Sequence, residues 1–353
     1  MNYTKVSLEM NGAEFSLETG RMARQANGSV LVGMGDTRAL LSVVADKKRS
    51  DRSWLPMFVE YRHKTYAAGK IPGGFFKREA RPSERETLTC RLIDRPLRPM
   101  FPDGYMHATD IISFVISADE KFHADVLSIT AASCALNISD IPFRTFVSGV
   151  RVADVDGEFI INPSFEQLEE SILDLVVAGT DEFVCMIEGE CVEVGEDRLL
   201  DAVDFAHGWI KKLNDLQREL IEKHGGKEKW EPVLLDENEE IVGQVEEFVG
   251  ADIAAAVKVT GKHERQDQLS ALKQKVAEKF LDENGKADSE AKDAFGKIEK
   301  KIMRNMIVDE GVRVDGRNTT TVRPITIDLG LLPRAHGSAL FTRGETQSLG
   351  TVT

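Results

Sequence analysis

Residues 27–44 read N-G-S-V-L-V-G-M-G-D-T-R-A-L-L-S-V-V, and residues 336–353 read H-G-S-A-L-F-T-R-G-E-T-Q-S-L-G-T-V-T. At a constant offset of 309, seven of the eighteen positions are identical: Gly28/Gly337, Ser29/Ser338, Leu31/Leu340, Gly35/Gly344, Thr37/Thr346, Leu40/Leu349 and Val43/Val352. Asp36/Glu345 keeps a carboxylate, and one gapped residue extends the match to Gly20/Gly330 and Arg24/Arg334. A repeat at this distance marks a duplicated structural unit. The chain therefore reads as one complete domain, a spacer and the opening of a second copy, within a longer parent protein. Inside the repeat, two strands near 29–32 and 38–45 flank a Gly35-Asp36-Thr37 turn. Leu40, Leu41, Val43 and Val44 make the second strand almost wholly apolar, which predicts a central, buried strand.

The residues before the repeat form a hairpin, V-S-L-E-M and A-E-F-S-L-E around Asn11-Gly12, because Asn-Gly supplies the positive φ angles of a type I′ turn. After it, residues 83–95 read as a helix. Ser83 and Glu86 have capping-box spacing, and Pro96 is expected to end the helix. Strands at 111–117 and 147–155, a small-residue helix at 124–136, further strands to about residue 188 and a long helix over 198–224 give an α+β mixture. Leu199, Val203, Ala206, Ile210, Leu213 and Leu220 are the inward face of that long helix. The first domain spans 1–225, and 226–237 is a linker. Leu269, Leu272, Val276 and Phe280, then Ala291, Phe295, Ile298 and Ile302, recur at helical spacing and predict about three helices over 238–307. The charge-rich helices can also be read as a coiled coil, but the break at Asp282-Glu283-Asn284-Gly285 favours a short bundle. Residues 312–353 are the start of the second copy, too short to bury a core alone.

Composition narrows the class. Hydrophobic residues at 42% and charged residues at 29% suit a globular chain, and no apolar run approaches the eighteen residues of a membrane span. Cys90, Cys134, Cys185 and Cys191 show no C-x-x-C spacing and read as free thiols of a reducing cytoplasm. The net charge is −14, yet residues 47–103 carry fourteen Lys or Arg against seven Asp or Glu, leaving −21 for the rest. Such an island can focus a polyanion, or it can be an unevenly charged solvated surface.

Within the island, residues 70–81 read K-I-P-G-G-F-F-K-R-E-A-R. Packed in a strand, Phe75 and Phe76 point to opposite faces and need both covered. On a loop they can stack on nucleobases while Lys77, Arg78 and Arg81 meet phosphates. Arg91 and Arg95 share a helix face, either as a phosphate-facing stripe or paired with Glu84, Glu86 and Asp94. Walker, G-x-S-x-G and H-E-x-x-H patterns and Cys/His metal spacing are absent, so no catalytic residue and no metal ligand is assigned.

The run F-F-K-R-E-A-R-P-S-E-R-E-T-L-T-C-R-L-I-D-R-P-L-R-P-M-F-P, followed far downstream by R-V-D-G-R and L-P-R-A-H-G-S-A-L-F-T-R-G-E-T-Q, resembles the bacterial polynucleotide phosphorylases. The likeness runs along the whole chain. It implies a ribonuclease PH-like fold (ribosomal protein S5 domain 2-like), then an all-helical domain, then the start of a second ribonuclease PH-like domain. It further implies a processive 3′-to-5′ exoribonuclease of messenger RNA that takes inorganic phosphate as co-substrate, releases nucleoside diphosphates and runs reversibly. A cytoplasmic homotrimer with a central channel for single-stranded RNA, docking with RNA-degradation partners, belongs to the same implication. In the family an F-F-R-R loop lines the channel mouth, so the RNA-binding set carried over is Phe75, Phe76, Lys77, Arg78, Arg81, Arg91 and Arg95. Lys77 departs from the family's arginine and lacks its bidentate fork. The serine-rich phosphate pocket, paired arginines and Mg2+-binding aspartates fall downstream of Thr353, as do the KH and OB-type domains. The alternative is a non-catalytic RNA-binding or assembly module.

Overall fold

The computed structural model describes residues 3–52, 54–75, 77–234, 238–281 and 285–353. They divide into two compact units, residues 1–236 and 237–353.

In the first unit, strands β1 (Thr4–Met10), β2 (Ala13–Thr19), β3 (Gly28–Met34), β4 (Thr37–Arg49), β5 (Met57–His63) and, after helix α1 (Glu84–Leu97), β6 (His107–Ser117) form one sheet in the order β1-β2-β3-β4-β6-β5. Only β5 and β6 run parallel within it. Helix α2 (Asp125–Ile138) leads to β7 (Ser148–Val155), β8 (Glu158–Ile161), the short α3 (Phe165–Glu169), β9 (Leu173–Gly179) and β10 (Val184–Cys191). These four strands make a second sheet, β10-β9-β7-β8, and the long α4 (Glu196–His224) follows. Asn11 and Gly12 have φ of 48° and 69°, the left-handed pair that the first hairpin's turn demands.

All fourteen residues of α2 are buried, because the helix lies between the sheets, against β3 and β4 on one side and β7 on the other. Its run Ala131, Ala132, Ser133, Cys134, Ala135 leaves room for that approach. Glycine completes the fit: a Cβ on Gly28 would stand 2.1 Å from the Ala135 carbonyl oxygen, and one on Gly149 2.6 Å from Ile129 Cδ1. Ala206, Ile210, Leu213 and Leu220 of α4 are buried as their spacing predicts, and Leu199 and Val203 are half-buried.

Three expectations need correction. β4 is central in its sheet, but only one face is covered. Ala39, Leu41 and Val43 are buried, whereas Leu40 is half-buried and Val44 is 45% exposed. Pro96 does not end α1, which runs to Leu97 before a 3-10 turn at Arg98–Met100. Proline this close to the helix end deletes one hydrogen bond of the last turn rather than an interior one. Nor do residues 226–234 hang free as a linker. Lys227 N donates to Ile138 O at 3.1 Å, Trp230 N to Asp140 O at 3.0 Å, and Lys229 Nζ reaches the carbonyls of Leu136, Asn137 and Ser139 at 2.7–2.8 Å. The segment is a strap that covers the carbonyl end of α2.

The second unit holds helices α5 (Glu239–Val257), α6 (Lys262–Lys279) and α7 (Ser289–Glu310) around their own core, which includes Val249, Ile253, Leu269, Val276, Phe295 and Ile298. Phe280 and Ile302 are partly buried against it. Residues 282–284 of the break after α6 lie outside the described residues. Strands β11 (Ile325–Leu329), β12 (Gly337–Arg343) and β13 (Thr346–Val352) then form an antiparallel sheet in that order.

This sheet repeats β2-β3-β4 residue for residue. Gly28 pairs with Val43 and Gly337 with Val352, and Met34–Thr37 and Arg343–Thr346 close the two turns. Gly35 and Gly344 share positive φ, 57° and 62°. Ser29 Oγ donates to Met22 O, and the equivalent Ser338 Oγ accepts from Leu332 N. The duplication read in the sequence is a duplication of backbone. Every residue of β11 and β13 is exposed, and Leu329 is 79% exposed.

Candidate nucleic-acid interface

The basic loop leaves β5 at His63 through a 3-10 turn, Thr65–Ala68, which Gly69 closes with φ 67°. It returns at Ser83, the N-cap of α1. There the Ser83 hydroxyl accepts from Glu86 N and the Glu86 carboxylate accepts from Ser83 N, the reciprocal box expected from the spacing. Glu86 Oε1 also accepts from His63 N at 2.8 Å, tying the helix start to the strand end. Burial pushes the Glu86 carboxyl up, but the amides of Ser83 and His63 outweigh it and hold the group ionised. Burial lowers the His63 pKa, which keeps that imidazole neutral.

Phe75 sits at the tip and is 92% exposed, so the core-packing reading does not hold for it. Phe76 lies outside the described residues. Lys77 follows in a left-handed conformation, φ 50°, with its side chain exposed. Arg78 and Arg81 are exposed and line a cavity of about 470 Å³ at the loop's base with Arg62, His63, Arg85 and Glu86. Four guanidinium groups against the carboxylates of Glu79 and Glu86 leave this cavity positive. On α1, Arg91 is exposed with no ion-pair partner among the described residues, while Arg95 is paired with Glu188 of β10. Pairing with Glu84, Glu86 or Asp94 does not occur for either; Asp94 engages Arg98 at 2.6 Å instead.

A model of the 3′ exoribonuclease family, domain 1, matches residues 13–142, and the model of its domain 2 matches 145–208. Residues 240–318 match a model described as polyribonucleotide nucleotidyltransferase, RNA binding domain. Polyribonucleotide nucleotidyltransferases of Geotalea daltonii and Bacillus pumilus are 46% and 43% identical to this chain, over 99% and 98% of it and 50% and 49% of their own length. The chain belongs to the polyribonucleotide nucleotidyltransferase family. It spans about half the length of the curated relatives it matches. Among solved structures, rice (Oryza sativa) Rrp46 aligns at TM-score 0.46 and 16% identity, over 58% of this chain and 92% of that one. The first unit is the family's ribonuclease PH-like fold, and the helical region follows it as the family order requires.

A second cluster escaped the sequence reading. A cavity of about 380 Å³ between α1, the start of α2, β7, β9 and β10 contains His123, Asp125, Arg151 and Asp174. Arg151 donates to Asp125 at 2.9 Å and to both oxygens of Asp174 at 2.5 Å. Burial favours the neutral form of Asp125, but the Arg151 charge, the Val126 amide and the neighbouring His123 and Arg85 together outweigh it and the carboxyl pKa is lowered. Arg85 Nη2 lies 2.6 Å from His123 Nδ1, which makes Nδ1 the acceptor and leaves the proton on Nε2, a buried atom with no partner. Burial lowers the His123 pKa to about 4. One guanidinium thus occupies both aspartates, so they are not open ligands for a divalent cation. Among the described residues no group of three His, Cys, Asp or Glu could hold a metal. These residues come from separate elements, and no local spacing signals their meeting. No helix among the described residues is long and apolar enough to cross a membrane.

Proposed function

We propose that this chain forms part of a phosphate-dependent 3′-to-5′ exoribonuclease and supplies the RNA-channel entrance and part of the ring scaffold. The observation that carries the reading is the loop: an almost fully exposed Phe75 beside exposed Lys77, Arg78 and Arg81, above a net-positive cavity. Phe75 and Phe76 stack on bases, and the cations follow the phosphates. Arg91 extends the basic track along α1. Arg95, held by Glu188, contributes less. The helical region adds RNA contact, an assignment supported by the description of the family model that matches 240–318 and missed by the sequence reading.

The parent reaction is the attack of inorganic phosphate on the 3′-terminal phosphodiester, shortening RNA by one nucleotide and releasing a nucleoside diphosphate. None of the groups that position phosphate and Mg2+ for this transfer is assigned to a residue of this chain. A cytoplasmic homotrimer acting on messenger RNA, with partners from an RNA-degradation complex, completes the reading, as the family resemblance implies. A second reading is a non-catalytic RNA-binding or assembly module, supported by the RNA binding domain description of the family model that matches 240–318. Incubation of the purified 353-residue chain with polyadenylate, Mg2+ and inorganic phosphate tests the assignment. No ADP above background is expected, and sustained ADP release would place the chemistry inside this chain.

A further inference from the structure

A carboxylate inside a loop that grips a polyanion repels the ligand unless it serves something else. Glu79 stands between Arg78 and Arg81, and both its oxygens are taken by one residue across the loop stem. Oε1 accepts from Thr65 N at 3.0 Å and Oε2 from Thr65 Oγ1 at 2.8 Å. Those two bonds, the backbone one first, lower the Glu79 pKa. Thr65 is itself fixed, since its carbonyl oxygen accepts from Lys70 N at 3.1 Å and the neighbouring Ala67 O accepts from Ala118 N at 3.0 Å. Beside this link, Arg62 donates to Ala80 O. Beyond it, Gly73 and Gly74 have no heavy atom within 4 Å of a would-be Cβ, and Lys77 takes a left-handed backbone conformation.

We propose that Glu79 is the positioning residue of the RNA loop, a latch on Thr65 that holds the aromatic tip and its cations in their binding arrangement before RNA arrives. The inference rests on the RNA reading of this loop and adds the device that preorganises it. Glycine-rich backbone loses much conformational freedom on ordering. A latch closed in the free protein removes that cost from the binding step.

The test uses the 353-residue chain with Thr65→Val, Thr65→Ser, Glu79→Gln and Phe75→Ala. It measures anisotropy of a labelled single-stranded oligoadenylate at several salt concentrations, and tryptic cutting after Lys70, Lys77 and Arg78. Thr65→Val and Glu79→Gln lower affinity by about tenfold, the worth of a hydrogen bond to a charged group, and speed cutting within the loop. Thr65→Ser keeps both donors and behaves as the parent. The salt slope stays unchanged in Thr65→Val, because the number of cations meeting phosphate is the same. Glu79→Gln removes a negative charge, so without a latching role it would tighten RNA binding; tightening, or unchanged cutting in both latch variants, overturns the proposal. Phe75→Ala separates the two layers. If it leaves affinity unchanged while the latch variants still speed cutting, the RNA reading of the loop fails and the latch stands as a loop anchor only.

Discussion

His123 shows how burial and geometry act together on one side chain. Its imidazole is buried, accepts from Arg85 and lies near Arg151, and burial together with these two cations outweighs the pull of Asp125 and Asp174 toward the protonated form. An unfolded histidine titrates near 6.5 and this one near 4. Between those values the unfolded chain binds a proton that the folded chain refuses. The contribution is whole above pH 6.5, falls as the pH drops, and is spent near pH 4. Denaturant unfolding between pH 7 and pH 4 should lose on the order of 3 kcal/mol from this site, and His123→Gln should flatten that part of the profile. An equally steep profile in the variant would assign the acid sensitivity elsewhere. None of this was legible in the sequence, because His123, Arg85, Arg151 and Asp174 meet only after both sheets have closed on α2. The Ser83–Glu86 box and the Asn11-Gly12 turn were legible, since each is decided by residues within three positions of one another.

At the scale of elements, one glycine separates the two copies. Gly28 and Gly337 hold the same place in the same three-stranded register. A Cβ at 28 would strike the Ala135 carbonyl of α2, whereas at 337 the nearest atom is Val352 Cβ at 3.7 Å, an ordinary contact. Gly28→Ala should therefore destabilise the first unit by about 3 kcal/mol or more, as overpacking against rigid backbone does. Gly337→Ala should change stability by less than about 0.5 kcal/mol, as a surface substitution does. Thermal melts of the two variants make the comparison, and equal shifts would contradict the close α2 contact. The repeat itself could be read from eighteen residues, because strand register follows the turn glycine and the apolar alternation. The half-open face of β4 could not, since composition alone does not say which side a helix will cover. Nor could the strap over 226–234, whose lysine and tryptophan find partners about ninety residues away in the chain.

Across the whole molecule, an acidic chain carries a local excess of positive charge over residues 47–103, and within it the fold presents exposed Phe75, Lys77, Arg78 and Arg81 on a loop between β5 and α1. The proposed contact of this loop with RNA is the part of the proposed function that rests on the chain's described side chains. The direct measurement is the affinity of a single-stranded oligoadenylate for the 353-residue chain and for its Phe75→Ala variant, by anisotropy at matched salt. The account predicts a loss of about 1–3 kcal/mol, the worth of one stacked base, with an unchanged melting temperature. Equal affinities for the two proteins would contradict it.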